Sequence, residues 1–214
     1  MISQMLSYIA THQSELLKQI GDHFVMSLSA LLIASVIGII CGYFASKSEK
    51  SEQIVSAPFQ VLRVVPSLAL LILLIPIMGT GFAPAVTALT VLAIPPILLN
   101  TIVGFREVPD FMIESAEGMG MDDHQILRKV RIPLALPMIL AGMRTGLVEA
   151  FASAVLAAKI GAGGLGELIF TGLGLNRMDL TILGGLLVAV LSLFCGLVFD
   201  LISRCLMKYK YVRN

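Results

Sequence analysis

Five apolar runs, each long enough to cross a lipid bilayer, constrain this chain more than any other feature it has. They cover residues 24–45, 57–78, 82–104, 133–158 and 180–207. Only 14% of the residues are charged while 57% are hydrophobic, and the mean hydropathy is +0.92. A water-soluble domain is usually about 25% charged. The predicted fold class is therefore all-α and polytopic, because only helices or closed barrels satisfy the backbone in lipid, and each run has the length of a helical span. Pro66, Pro76, Pro95, Pro96 and Pro137 fall in or near the runs. Membrane helices tolerate such prolines where neighbours satisfy the freed carbonyls, and broken helices often border a substrate path.

The 214 residues suit a single membrane domain, 24–207, preceded by a partly amphipathic lead-in at 1–23 and followed by a tail at 208–214. The lead-in has no basic start and no early apolar core, so no cleavable signal peptide is expected. Orientation follows from the basic residues of the connections. With the segment 105–132 inside, the cytoplasmic side collects Lys47, Lys50, Arg63, Arg106, Arg128, Lys129, Arg131, Arg204, Lys208, Lys210 and Arg213. The outside keeps Lys18, Lys159 and Arg177, and Arg144 stays within a span. This eleven-to-three bias predicts an external N-terminus, a cytoplasmic C-terminus and external loops at 79–81 and 159–179. Small residues recur one turn apart at Gly38 and Gly42, Ala30 and Ala34, and Gly142 and Gly146, a pattern that lets helices pack closely.

The stretch 106–133 is the longest charged segment, and its residues predict two short helices. Val108-Pro109-Asp110 favours a helix start, and Gly118 to Gly120 a left-handed stop. Asp122 then begins a second helix with Gln125 three residues on, a capping pair. Two short helices joined by a glycine turn form a lever that can dock in a partner's groove.

Glu114-Ser115-Ala116, then Gly120, then Val130-x-Ile132-Pro133 resembles the EAA motif of bacterial ABC importer permeases. In that motif E-A-A is followed by three residues, G, nine residues and I-x-L-P, and each spacing matches. Ser115 replaces the usual alanine, and Val130 and Ile132 keep the aliphatic character. Further stretches are similar to the branch that carries osmoprotectant quaternary amines: glycine betaine, carnitine and choline. These are Val65-Pro66-Ser67-Leu68-Ala69, Glu117 to Met121, Ile132 to Pro137, Ala141 to Thr145 and Gly161 to Gly166.

The resemblance implies a type I ABC importer transmembrane fold with a coupling loop at 105–132, in a bacterial inner membrane. It implies that Glu114, Ser115, Ala116, Gly120, Val130, Ile132 and Pro133 form the motif that couples to a cytoplasmic ATPase, with Glu114, Ser115, Ala116 and Gly120 at the contact. ATP and magnesium would be held by that ATPase, with no cofactor on this chain. A second permease chain, identical or related, and an external substrate-binding protein complete the implied assembly.

Other residues are candidates for the pore or its gate: Pro66, Ser67, Arg144, Glu149, Gly161, Gly163, Gly164 and Gly166. Arg144 and Glu149 are ionisable groups inside a span, either lining a cavity or pairing with another helix. Five residues apart, they face different sides of their helix. Gly161-x-Gly163-x-x-Gly166 fits a dinucleotide-binding pattern literally, but no strand precedes it. A tight re-entrant turn is the expected role.

Cys41, Cys195 and Cys205 form no CxxC pair and are expected to be small buried hydrophobes; no metal site is indicated. No catalytic set and no P-loop are found, so the chain is not expected to be an enzyme. The net charge of +1 argues against nucleic acid as a partner. Two alternatives remain: a permease for another small solute such as an amino acid, or an ion-coupled carrier working alone. The carrier would show internal repeats and several intramembrane carboxylates, whereas Glu149 alone stands out. With no Trp and four Tyr, the chain is poor in aromatic faces for a quaternary ammonium, so selection is expected in the binding protein.

Overall fold

The computed structural model describes residues 2–207, and every regular element among them is helical. The tail at 208–214 lies outside the described residues. In chain order the helices are α1 (Ile2–Thr11), α2 (Gln13–Ala45), α3 (Glu49–Leu62), α4 (Ser67–Met78) and α5 (Phe82–Arg106), followed by α6 (Asp110–Gly118) and α7 (Asp123–Ile126). A π-helical turn, Leu127–Arg131, leads into α8 (Ile132–Ala157); α9 (Gly166–Gly174) and α10 (Met178–Leu206) follow. Among the described residues four helical stretches are long and apolar enough to cross a membrane, and five if the bent pair α3–α4 counts as one span.

Several sequence boundaries shift. The lead-in divides: Ile2–Thr11 forms its own helix, α1, while α2 starts at Gln13 and runs unbroken to Ala45. Residue 24 marks where apolar composition begins, and helical hydrogen bonding does not require apolar side chains. The run 57–78 is not one helix, since α3 and α4 meet at 95°. Pro66 causes the break: it has no N–H to donate and holds Val65 out of helical geometry, while Pro66 itself is extended (φ −60°, ψ 132°). The fourth span begins earlier, as one helical body over Asp123–Ile160. The loop expected at 159–179 contains α9. Of the cysteines, Cys195 is buried, Cys41 half-buried and Cys205 exposed, so the last is not a core residue.

Helix α5 is the centre, packed by α2 and α8 and buried over most of its length. Both glycine pairs face it. A Cβ on Gly42 would lie 2.7 Å from Thr101 Cβ, and one on Gly142 would lie 2.8 Å from the Pro96 carbonyl oxygen. Lipid tails supply no hydrophobic force between helices, so this close approach and the contacts it allows hold the bundle together. Phe151, Ile97, Leu98 and Leu31 form one buried cluster, and Met26, Leu71, Leu89 and Ala154 another.

Candidate functional site

Between α5 and α8 the chain folds into a hairpin of two short helices. Pro109 caps α6 in extended geometry, and Asp110 sits in the first turn, where a negative charge suits the helix dipole. Helix α6 ends in a Schellman motif: the Met121 N–H donates to the Ala116 carbonyl (3.1 Å) and the Gly120 N–H to the Glu117 carbonyl (2.8 Å). Gly120 carries the required positive φ of 77°. Asp122 then opens α7 with a full capping box. The Gln125 N–H donates to Asp122 Oδ1 (2.8 Å), and the Asp122 N–H donates to Gln125 Oε1 (3.3 Å).

The EAA-motif residues occupy distinct parts of this hairpin. Glu114 and Ser115 are exposed on α6, and Ala116 is buried beneath them. Ser115 Oγ donates to the Phe111 carbonyl (2.6 Å), so the hydroxyl at this alanine position is satisfied within its own helix. Val130 lies in the π-helical turn, and Ile132 and Pro133 are the first residues of α8. The Ile132 N–H reaches back five residues to the Leu127 carbonyl, which widens the helix just before Pro133. Phe111 and Met119, exposed by 63% and 70%, stand beside Glu114 and Gly120. The sequence pattern did not single out Phe111, although large apolar residues flanking a motif on a charged loop are a usable signal.

A cavity of about 560 Å³ separates the hairpin from the end of α2, lined by Tyr43, Lys47, Glu117, Asp123, His124 and Arg131 among others. Lys47 Nζ sits 5.0 Å from the Tyr43 ring centroid, and Arg106 is ion-paired with Glu52, which ties α5 to α3 at this end.

The pore candidates divide among three places. Pro66 and Ser67 form the α3–α4 break. Glu149 lies on α8. Arg144 pairs with Asp200 of α10 at 2.7 Å, an ion pair between helices. Asp200 is a second carboxylate within a span, so Glu149 does not stand alone.

Gly161, Gly163, Gly164 and Gly166 lie at the opposite end from the hairpin. The first three have φ of 74°, 81° and 84°, and Gly166 opens α9 so tightly against the Val155 carbonyl that a side chain would collide. This turn packs against Asp22 and His23 of α2.

That face of α2 carries a stripe the sequence pattern missed. Gln19, His23 and Ser27 recur every four residues and are exposed by 6%, 0% and 0%. The Phe151 carbonyl accepts from His23 Nε2 (3.1 Å), which leaves Nδ1 as a bare acceptor. Among the described residues, His23 Nδ1, Gln19 Oε1 and Ser27 Oγ are buried without a hydrogen-bond partner. The signal that could have found them is the spacing of polar residues on one helix face at the head of an apolar run. No cluster of three or more His, Cys, Asp or Glu that could hold a metal occurs among the described residues.

Residues 34–208 match the family described as binding-protein-dependent transport system inner membrane component. The carnitine transport permease protein OpuCB of Listeria monocytogenes is 40% identical over 189 residues, 88% of this chain and 87% of that protein. The glycine betaine/carnitine/choline transport system permease protein OpuCB of Bacillus subtilis is 35% identical over 203 residues, 95% and 94% of the two chains. Among solved structures, an inward-facing MetNI methionine ABC transporter chain aligns with a TM-score of 0.81 over 92% of this chain and 98% of its own, at 24% identity, a likeness of fold.

Proposed function

The chain belongs to the family of binding-protein-dependent transport system inner membrane components, and from that premise we propose that it imports osmoprotectant quaternary amines. It is a membrane permease subunit of the ABC importer type. The substrate class proposed is that of its relatives: glycine betaine, carnitine and choline. A separate cytoplasmic ATPase would drive alternating access, and a second permease chain would complete the pore. An external binding protein would deliver the solute. The α2 N-terminus would lie outside and the α6–α7 hairpin inside, as the charge bias favours.

The observation that carries this reading is the hairpin itself. Its polar groups are satisfied by caps while Phe111 and Met119 remain exposed beside Glu114. A rigid element with exposed apolar residues suits insertion into a groove of another protein. Glu114, Ser115, Ala116 and Gly120 would form that contact. Val130, Ile132 and Pro133 would pass its movement into α8, while Glu149, Pro66 and Ser67 would border the path.

The test is uptake by proteoliposomes holding the complete transporter, with glycine betaine, carnitine and choline in competition. ATP-dependent uptake of at least one is expected, with selectivity that changes when the binding protein is exchanged. Uptake driven by an ion gradient without the ATPase would refute the proposal. Orientation is checked in intact cells by external thiol labelling of Ser51→Cys and Asn176→Cys: position 176 should react and position 51 should not.

A further inference from the structure

Caps satisfy the backbone of the α6–α7 hairpin, but the charged side chains between it and α2 have no ion partners. Lys47 just beyond α2, Arg131 in the π-helical turn, Glu117 on α6 and Asp123 on α7 all line the cavity of about 560 Å³. None of the four is in an ion pair among the described residues, although both signs of charge share one space.

A second cavity, of about 240 Å³, adjoins the first, and Tyr43 and Leu127 line both. Its other lining side chains are aliphatic or aromatic, among them Ile39, Ile40, Phe44, Phe105 and Ile139. Ile139 is buried at its floor, while Ile40 and Phe44 at its rim are exposed by 52% and 56%. The groove therefore opens outward from the bundle.

Polarity changes in the same direction on both walls. One wall runs from Ile39 and Ile40 through Tyr43 and Phe44 to Lys47, the other from Ile139 through Ile132 to Arg131. Ile39 lies about 12 Å along the helix from Lys47, at 1.5 Å per residue. Lys47 Nζ sits 5.0 Å from the ring centroids of both Tyr43 and Phe44. Aromatic and cationic residues gather in this way where membrane helices leave the hydrocarbon.

These features select the occupant. A soluble ion makes no use of the apolar groove, and a hydrocarbon tail makes none of the charged cavity; a phospholipid fills both. A headgroup with a phosphate alone would meet Glu117 and Asp123 as like charges. One that also carries an ammonium satisfies both signs, its phosphate beside Lys47 and Arg131 and its N–H donors toward the two carboxylates. A divalent cation does not fit, since no cluster of three acidic, His or Cys ligands occurs among the described residues. We propose that the joined cavities hold one aminophospholipid, of the phosphatidylethanolamine type, from the leaflet at the hairpin end. The proposal goes beyond the transport reading and needs only that the hairpin lies at a membrane face.

The experiment adds phosphatidylethanolamine, phosphatidylglycerol or phosphatidylcholine with identical acyl chains to the delipidated complete transporter in detergent. Native mass spectrometry then counts the lipids retained. One phosphatidylethanolamine per permease chain should be retained at concentrations about tenfold below those the other two need. Lys47→Gln combined with Arg131→Gln should weaken that retention about tenfold. Glu117→Gln combined with Asp123→Asn should weaken phosphatidylethanolamine and strengthen phosphatidylglycerol, each about threefold. A purely structural lesion would lower both. If a double variant does not assemble, Lys47→Gln or Asp123→Asn alone decides, with the same directions and changes of about twofold.

Equal retention of the three lipids by the wild type, or an acidic-side variant with unchanged preference, would overturn the proposal. So would the absence of any retained lipid, which would leave the groove to the second permease chain or the ATPase. Glycerophosphoethanolamine, the headgroup without its chains, should not displace the lipid. Displacement at equal concentration would assign the cavity to a soluble phosphate and overturn the proposal as well. Retention is read without transport, so failure of osmoprotectant uptake and failure of this site are separate results.

Discussion

The two ends of the bundle are built on opposite terms. At the hairpin end, polar groups are satisfied locally by the Asp122–Gln125 capping box, the Gly120 turn and the Ser115 hydroxyl, while Phe111 and Met119 lie exposed. At the Gly161 end, large apolar side chains such as Leu165 and Leu168 are buried, while Gln19, His23 and Ser27 hold polar atoms with no partner. One end leaves apolar side chains uncovered and the other leaves buried polar atoms without partners. A chain that must engage different proteins on its two faces can use such a division. A buried polar atom left alone costs about 1–3 kcal/mol, and an exposed aromatic leaves apolar area in water.

The largest expected effect is at the hairpin. Gly120→Pro should abolish uptake while the protein remains in the membrane, because proline cannot take φ of 77° and removes the N–H bonded to Glu117. Gly120→Asn, which tolerates that conformation, should keep most of the activity. Glu114→Lys should also stop uptake, by reversing charge on the docking face. Normal coupled uptake in both Gly120→Pro and Glu114→Lys would remove the lever role and with it the contrast between the ends.

A lesion between the ends should weaken both. Gly142→Leu would push a side chain into the Pro96 carbonyl and Asn100, costing about 1–3 kcal/mol. Thermal unfolding of the detergent-solubilised permease should show a lowered Tm, with uptake reduced in proportion to the folded protein. An unchanged Tm would mean that α5 and α8 are less tightly packed than the structure shows.

Smaller effects separate the two ends. Phe111→Ser should weaken association with the ATPase about tenfold, or ~1.4 kcal/mol, without lowering the stability of the permease alone. Co-purification and a melting curve measure the two. Ser27→Ala should leave stability unchanged or raise it by up to about 1 kcal/mol, since it deletes an unpartnered buried hydroxyl. A clear loss of stability would reveal a hydrogen bond at Ser27 and narrow the difference between the ends.

The hairpin was readable because its structure is local. Caps, the glycine turn and the proline at the head of α8 are each decided within a few residues, so spacing alone places Glu114, Gly120 and Pro133. The number of spans was nearly readable for the same kind of reason, as apolar length measures bilayer thickness. Only the bend at Pro66 escaped, because hydropathy is blind to whether an apolar run is straight.

Contacts across the fold were not readable. Arg144 meets Asp200 fifty-six positions away, and His23 meets Phe151 at a separation of 128. Neither spacing has a sequence signature, since each depends on which faces of α2, α8 and α10 turn toward one another. Composition and local pattern by themselves determined the membrane habit, the main spans and the short-helix hairpin between α5 and α8, through lipid's demand for satisfied backbone and the short reach of caps. Only the tertiary structure decided that Gly42 and Gly142 both close on α5, that Arg144 pairs with α10, and that Gln19 Oε1, His23 Nδ1 and Ser27 Oγ are buried without a partner. The physical reason is that helix packing in lipid is chosen by close shape fit over many weak contacts, which no single residue announces.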